Sequence, residues 1–246
     1  MGYTSEKTKT IGAFDVFRLP KLGAAFYLAN ARPASAQVVI EPSFYWLLER
    51  ASNFSVRSLQ PNKLGLIWSN ADELRVLVDG AQPFGAQLVP SRAAPFTNLT
   101  RPPFVVDFAQ LPDATPATAE LRIDAYRNSA LVGSRRFSAD TSRDRFVLEA
   151  DDDTLRADGA DSTRVVLRVT DAFGTTRPML TGVVRFALEG DAGAATLLGD
   201  NPFPLGDTGG AGAIWLRSAE PGRAGVVRLV ATHDRFGAVE TVVKFV

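Results

Sequence analysis

The chain has 246 residues, a formal net charge of zero, 46% hydrophobic and 22% charged residues, and no cysteine. That length holds one large domain or two β-sandwiches of ~100 residues each with a remainder. The balanced, dispersed charge argues against nucleic acid as a partner, and the missing thiols exclude disulfides and thiolate metal sites.

No apolar run approaches the ~20 residues that cross a bilayer as a helix, and the opening MGYTSEKTKT has no apolar signal core, so no membrane partner is expected. From Pro20, the residues Leu22, Ala25, Phe26 and Ala29 recur at helical intervals. Pro20 suits a first-turn position and Pro33 lies just past the end, which predicts an amphipathic helix over 20–30. Residues 11–17 read as a short strand or loop ahead of it. One helix cannot bury its apolar stripe alone, so it must pack on the β-module or on something else. Residues 37–48, QVVIEPSFYWLL, are apolar, but Pro42 confines the run to an edge strand or splits it in two.

After a polar stretch at 51–63, Leu64, Leu66 and Trp68 share one strand face and Leu74, Val76 and Val78 another. Residues 69–72 supply the turn between them, and Asp79-Gly80 is a hairpin-turn dipeptide. A proline-rich tract from Gln82 to Pro103 leads to a strand at 104–108. ELRIDAY at 120–126 alternates, Asn128-Ser129 turns the chain, and residues 131–140 pair back, giving about six strands between 37 and 140.

The stretch 155–174, LRADGADSTRVVLRVTDAFG, organises the remainder. A polar turn opens a strand with Val165, Leu167 and Val169 on one face and Arg168 and Thr170 on the other, and a second turn follows at 171–174. This is the pattern of a half-buried antiparallel strand. Strands at 146–150, 165–170, 183–188, 194–198, 213–217, 226–232 and 239–246 fit an immunoglobulin-like sandwich without the Cys…Trp…Cys core of antibody domains. A polar connector at 139–145 separates it from what precedes. The fold class is all-β: two tandem immunoglobulin-like antiparallel β-sandwiches at 37–140 and 145–246.

Three motifs carry a family resemblance. Gly12-Ala-Phe-Asp-Val-Phe-Arg-Leu-Pro-Lys21 resembles the segment that closes the catalytic barrel of glycoside hydrolase family 2 enzymes, the β-galactosidase-like group, where a Gly-x-x-Asp-x-Phe-Arg-x-Pro-Lys run leads into the last barrel helix. The run WSNADELRVLVDG at 68–80 resembles a hairpin of that family's first β-sandwich after the barrel. LRADGADSTR at 155–164 and LGDNPF at 198–203 resemble the last immunoglobulin-like module of many such enzymes. The matches run in family order and cover most of the chain.

The resemblance implies that 1–36 form a strand–helix remnant at the end of a (β/α)8 barrel, and that the family's two catalytic glutamates would precede Met1. It implies a non-catalytic C-terminal part of a β-galactosidase-like enzyme that supports the upstream barrel and meets carbohydrate through the parent. It favours a periplasmic or extracellular setting. Where the family's loop at the barrel rim carries an aromatic residue, its ring stacks on the sugar; Tyr3 is the matching position. The alternatives are a free-standing carbohydrate-binding module and a structural or adhesive immunoglobulin-like tandem.

Hydrolysis with retention needs two carboxyl groups ~5 Å apart. Glu41, Glu49, Glu73, Glu120, Glu149 and the run at 151–153 are the candidates. None sits in a barrel-strand context, so no catalytic residue is expected. His233, the only histidine, lies between two strands and reads as a surface-turn residue. Asp151, Asp152, Asp153, Asp158 and Asp161 offer calcium-type oxygens but not at EF-hand spacing, so no metal and no cofactor is expected. The glycine-rich run at 206–212 lacks the lysine and following helix of a phosphate loop and reads as a flexible hairpin or long loop.

Sugars stack on exposed rings. Trp68 shares a face with Leu64 and Leu66 and reads as core, while Trp46 and Tyr45 fall in an apolar run. Trp215 shares its side with Ala213 and Arg217, which leaves it partly exposed and makes it a substrate-binding candidate. Asn53-Phe-Ser55 and Asn98-Leu-Thr100 match glycosylation acceptors.

Overall fold

The computed structural model describes residues 12–31, 37–46, 59, 63–84 and 88–246. They fall into two compact units: residues 12–143 with Asp171–Phe173, and Asp144–Thr170 with Gly174–Val246.

The first unit contains one helix, α1 (Ala24–Ala31), and six strands among its described residues: β1 (Ile40–Pro42), β2 (Leu64–Ser69), β3 (Glu73–Val78), β4 (Phe104–Asp107), β5 (Glu120–Arg127) and β6 (Ala130–Ser138). They form two three-stranded antiparallel sheets, β1-β2-β4 and β3-β5-β6. Ile67, Leu74, Phe104, Val106, Leu121, Ile123 and Ala125 are wholly buried in the core. β1 has only three residues, as Pro42 requires of an edge strand. Beyond it, aromatic rings fill the core: Phe44 meets Phe108 edge-on at 4.8 Å, and the indole N–H of Trp46 donates to the carbonyl of Ala119 at 2.8 Å.

The helix begins at Ala24, four residues later than the periodicity suggests. Pro20 instead bridges to Phe14, because the Asp15 carboxylate accepts the backbone N–H groups of Phe17 and Leu19, both at 2.8 Å, and closes a turn there. Ala25 and Ala29 let α1 lie close on the β-module, packed with Val39 and Trp68, and the Phe26 ring stands edge-on to Trp68 at 5.0 Å. Arg101 donates from Nη1 to the Ala29 carbonyl at 2.8 Å, so a C-terminal carbonyl of the helix finds a partner. Pro33 lies outside the described residues.

Residues 69–72 turn the chain between β2 and β3, as expected. β2 and β3 lie in different sheets, and the turn is a corner between them. Ser69 Oγ donates to the Val39 carbonyl at 2.5 Å, and Asn70 Oδ1 accepts the Val39 N–H at 2.8 Å, which pins the corner to the segment before β1. The dipeptide Asp79-Gly80, with φ of 47° and 80°, reverses the chain between Val78 and Ala81, but the neighbour of β3 in the sheet is β5. Asn128 and Ser129, at φ of 46° and 64°, make the same kind of turn and do join a hairpin, β5–β6.

Among its described residues the second unit has nine strands: β7 (Arg145–Ala150), β8 (Thr154–Leu155), β9 (Ser162–Thr170), β10 (Val183–Gly190), β11 (Ala195–Leu198), β12 (Phe203–Pro204), β13 (Ala211–Ser218), β14 (Gly225–His233) and β15 (Gly237–Phe245). Seven correspond to the expected strands. β8 and β12 have two residues each, too few for periodicity to reveal, and β8 pairs parallel to β15. The sheets run β12-β10-β14-β15-β8 and β11-β13-β9-β7. Val165, Leu167 and Val169 of β9 are wholly buried, as their alternation requires. Its other face is only partly solvated: Val166 and Thr170 are buried. Arg164 and Arg168 lie along that face with their heads carried to Asp151 and Glu149, and their stems cover it.

The glycine-rich run is a packed structure rather than a flexible loop. A 3-10 turn at Leu205–Thr208 buries Leu205 and Thr208, Gly209 takes the left-handed conformation, and β13 follows. A Cβ on Gly210 would stand 2.9 Å from the Arg177 carbonyl, so only glycine fits there. Arg177 itself pairs through Nε with Asp144 at 2.8 Å, with side chains only 6% and 2% exposed.

Candidate functional site

The carboxylates are engaged by arginines rather than by one another. Glu41 meets Arg135 at 2.6 Å, Glu73 meets Arg75 at 3.3 Å, Glu149 meets Arg168 at 2.5 Å, and Asp151 meets Arg164 at 2.9 Å. Glu120 holds Arg136 through two bonds of 2.6 and 2.7 Å, and that hydrogen bonding raises the guanidinium pKa. Glu49 lies outside the described residues.

The acidic turn folds its oxygens onto its own backbone. Asp158 accepts the N–H groups of Asp161 and Ala160 at 2.7 and 2.9 Å, and these bonds hold its carboxyl below the ordinary aspartate value. Asp161 accepts the Arg156 N–H at 2.9 Å. Among the described residues no group of three or more histidines and acids could hold a metal ion.

His233 is not a surface-turn residue. It ends β14, where Val227, Leu229 and Ala231 point inward at alternate positions, and it continues that series at 2% exposure. Its Nδ1 accepts the Arg235 N–H at 3.0 Å, and its ring packs against Phe146 and Phe236. Gly182, at φ of 126°, closes over Nε2, where a Cβ would come within 2.6 Å. Among the described residues no serine and no carboxylate bonds this ring, so no triad is assembled.

Trp215 is half-buried, the position its place on β13 suggests. The strand register sets Leu198 of β11 on one side of it and Arg164 of β9 on the other, and Asp151, just past β7, completes the row. Arg164 donates to Asp151 from Nε at 2.9 Å and from a terminal nitrogen at 3.2 Å, so the guanidinium–carboxylate plane beside the indole is fixed. One step along the same face lie Thr196, Arg217 and Ser162. The arrangement is a ring flanked by oriented hydrogen-bonding groups on a sheet face. Tyr3 lies outside the described residues, as do Tyr3's sequence neighbours up to residue 11.

One further feature of the first unit was not read from the sequence. A cavity of about 400 Å³ opens between the edge strands β1 and β6, lined by Leu28, Val38, Ile40, Glu41, Val132 and Arg135. Arg135 donates to the Ile40 carbonyl at 2.8 Å while holding Glu41, so the cavity's charged groups are already spent on each other. Its sequence signal was Gly133 inside a strand, a mark of close approach; a Cβ there would meet Val38 at 2.5 Å. The segment containing α1, whose residues Phe14, Phe17, Leu22, Phe26 and Tyr27 read in the sequence as an apolar patch for a barrel, does expose apolar side chains: Phe14, Val16 and Tyr27 are 54%, 62% and 61% exposed, while Phe17 is buried.

No family model matches the chain. A β-galactosidase of Thermoanaerobacter pseudethanolicus is 30% identical over 222 residues, which cover 86% of this chain and 27% of that protein. A β-galactosidase of Thermoanaerobacterium thermosulfurigenes is 27% identical over 186 residues, covering 74% of this chain and 25% of its own length. The chain thus spans about a quarter of these curated relatives, in their C-terminal part. Among solved structures, a β-glycosidase from Bacteroides vulgatus superposes with a TM-score of 0.67 at 11% identity, over 95% of this chain and 28% of that one. A β-glucuronidase from glycoside hydrolase family 2 gives 0.64 at 19% identity, over 96% of this chain and 22% of the other.

Proposed function

We infer, for a chain that matches the C-terminal segment of β-galactosidases in sequence and a segment of family 2 glycoside hydrolases in fold, that it is the non-catalytic part of such an enzyme and docks on the catalytic barrel. The observation that carries this reading is the apolar surface at Phe14, Val16 and Tyr27. α1 buries Ala25 and Ala29 against Trp68 and Val39 and still presents Tyr27 outward. A short helix with both an anchored side and an apolar free side has the form of a layer between two bodies. In this reading residues 1–36 complete the barrel, 37–140 and 145–246 are accessory sandwiches, the substrate is a β-glycoside met through the barrel, and Tyr3 stacks on the sugar at the barrel rim.

The test is a chimera in which this chain replaces the matching segment of the Thermoanaerobacter pseudethanolicus β-galactosidase. The isolated chain is expected to give no turnover of an aryl β-galactoside and the chimera to hydrolyse it. Tyr27→Asp should weaken the chimera's assembly while leaving the fold of the isolated chain intact. Turnover by the isolated chain at a rate above buffer would overturn the reading.

A further inference from the structure

We propose that the row Leu198–Trp215–Arg164–Asp151 on the four-stranded sheet of the second unit is a carbohydrate platform that stacks a pyranose ring on the indole of Trp215. The proposal is independent of barrel docking, since every residue it uses belongs to the second unit.

The row crosses the strands rather than following one. Adjacent strands are about 4.8 Å apart, so four successive positions span roughly 14 Å, the footprint of a short saccharide. At its centre is a half-buried indole, and at one end the apolar Leu198. On the other side the Arg164–Asp151 pair is held in one plane by two hydrogen bonds. Those bonds orient the carboxylate yet leave it lone pairs for further donors, and its side chain is 46% exposed. Thr196 and Ser162 place hydroxyl-bearing side chains one step along the same face.

A pyranose has the matching two-sided chemistry: a face of C–H groups that prefers an aromatic plane, and equatorial hydroxyls at its rim that both donate and accept. The other ligand classes fit less well. An extended peptide binds by adding to a sheet edge, and the row lies across a face. A nucleic-acid strand would bring phosphate against the Asp151 carboxylate on a chain of zero net charge. A membrane surface would meet the ion pairs Arg164–Asp151 and Arg168–Glu149 before any apolar area.

The experiment is a titration of the full chain, labelled with ¹⁵N, with methyl β-galactopyranoside, methyl β-glucopyranoside and a β-linked disaccharide, followed by amide and indole N–H shifts. Saturable shifts confined to residues around 162–164, 196–198 and 213–217 are expected, with the Trp215 indole N–H moving most. Trp46 and Trp68 are buried in the first unit and should not move. Trp215→Ala should weaken binding about tenfold, the usual loss on removing one stacked ring. Trp215→Phe keeps a ring and should retain most of the affinity, which guards against a variant that merely fails to fold. Arg164→Gln should weaken binding severalfold and leave stacking in place. The proposal is overturned if no sugar of the panel gives a saturable shift in the parent, or if Trp215→Ala binds as the parent does.

Discussion

The two units bury comparable apolar cores by different means. In the second, long strands do the work: β9, β13, β14 and β15 run eight or nine residues each and place Val165, Leu167, Ile214, Leu216, Val227, Leu229 and Val243 in the core by alternation alone. Their ladders also satisfy the backbone. In the first, β1 has three residues and β4 four, and side chains take over that task. Asn70 holds Val39, Trp46 holds Ala119, Arg101 holds Ala29 and Arg135 holds Ile40. Buried peptide groups must find partners in either case. Where the ladder is short, single polar side chains become structural, and the fold depends on residues that a hydrophobic pattern does not show.

The sharpest way to break this comparison lies in a buried ion pair of the second unit. Asp144→Ala takes the carboxylate away from the Arg177 guanidinium in a site where that side chain is 6% exposed. Removing one partner of such a pair costs about 3–5 kcal/mol, far more than the pair's net worth. Chemical denaturation, with hydrogen exchange of β9 and β13 amides, should show that loss in the second unit. A change under ~1 kcal/mol would mean that Arg177 reaches water on relaxation and that the unit rests on its strands alone. In the first unit, Asn70→Ala leaves the Val39 N–H buried with no partner and frees the 69–72 corner. The expected cost is smaller, about 1–3 kcal/mol, and should appear in exchange of β1 and β2 amides. If the two variants destabilise β2 and β9 equally, the contrast between the units fails.

The same contrast explains what the sequence made legible. β9 and its neighbours could be placed because valine and leucine alternate with polar residues over whole strands. The chain order of turns and strands, and the motifs at 12–21, 68–80 and 155–164, pointed to the kind of proteins the chain resembles. The turn at 69–72 was read, but not that it is a corner between two sheets, because Ser-Asn-Ala-Asp is equally good turn chemistry in a hairpin and in a corner; the bonds to Val39 that pin the corner are 30 and 31 residues away in sequence. His233 was placed at the surface because its neighbours Asp234 and Arg235 are charged, whereas the inward register of β14 runs one residue further than polarity suggests. The helix start was misplaced because proline at a first turn and proline after an Asp15-capped turn look alike. At Trp215, the alternation of β13 gave the half-exposed ring. It could not give Leu198 or the Arg164–Asp151 pair beside it, which depend on the pairing of β13 with β11 and β9.

The smallest expected effect tests whether the turn that opens β9 is held by side-chain polar bonds, as the 69–72 corner of the first unit is, here with partners close in sequence. Asp158 accepts two backbone N–H groups, from Asp161 and Ala160, and its carboxyl is held below the ordinary aspartate value chiefly by these bonds. They favour the ionised form. Because the folded value lies below the unfolded one, the turn's contribution is fully present above the ordinary aspartate range and is lost as pH falls through the folded value. The group is open to water, so the global midpoint of unfolding should hardly move while the turn responds. The amide shifts of Ala160 and Asp161 should titrate together with a midpoint below that of an unstructured aspartate, and Asp158→Asn should abolish that step without changing the amides of β13. A carboxyl at Asp158 that titrates at or above the ordinary aspartate value would show that the turn is set by its glycine and by the Gly159 N–H bond to Ser218 Oγ at 3.0 Å, and not by the charge at its first position.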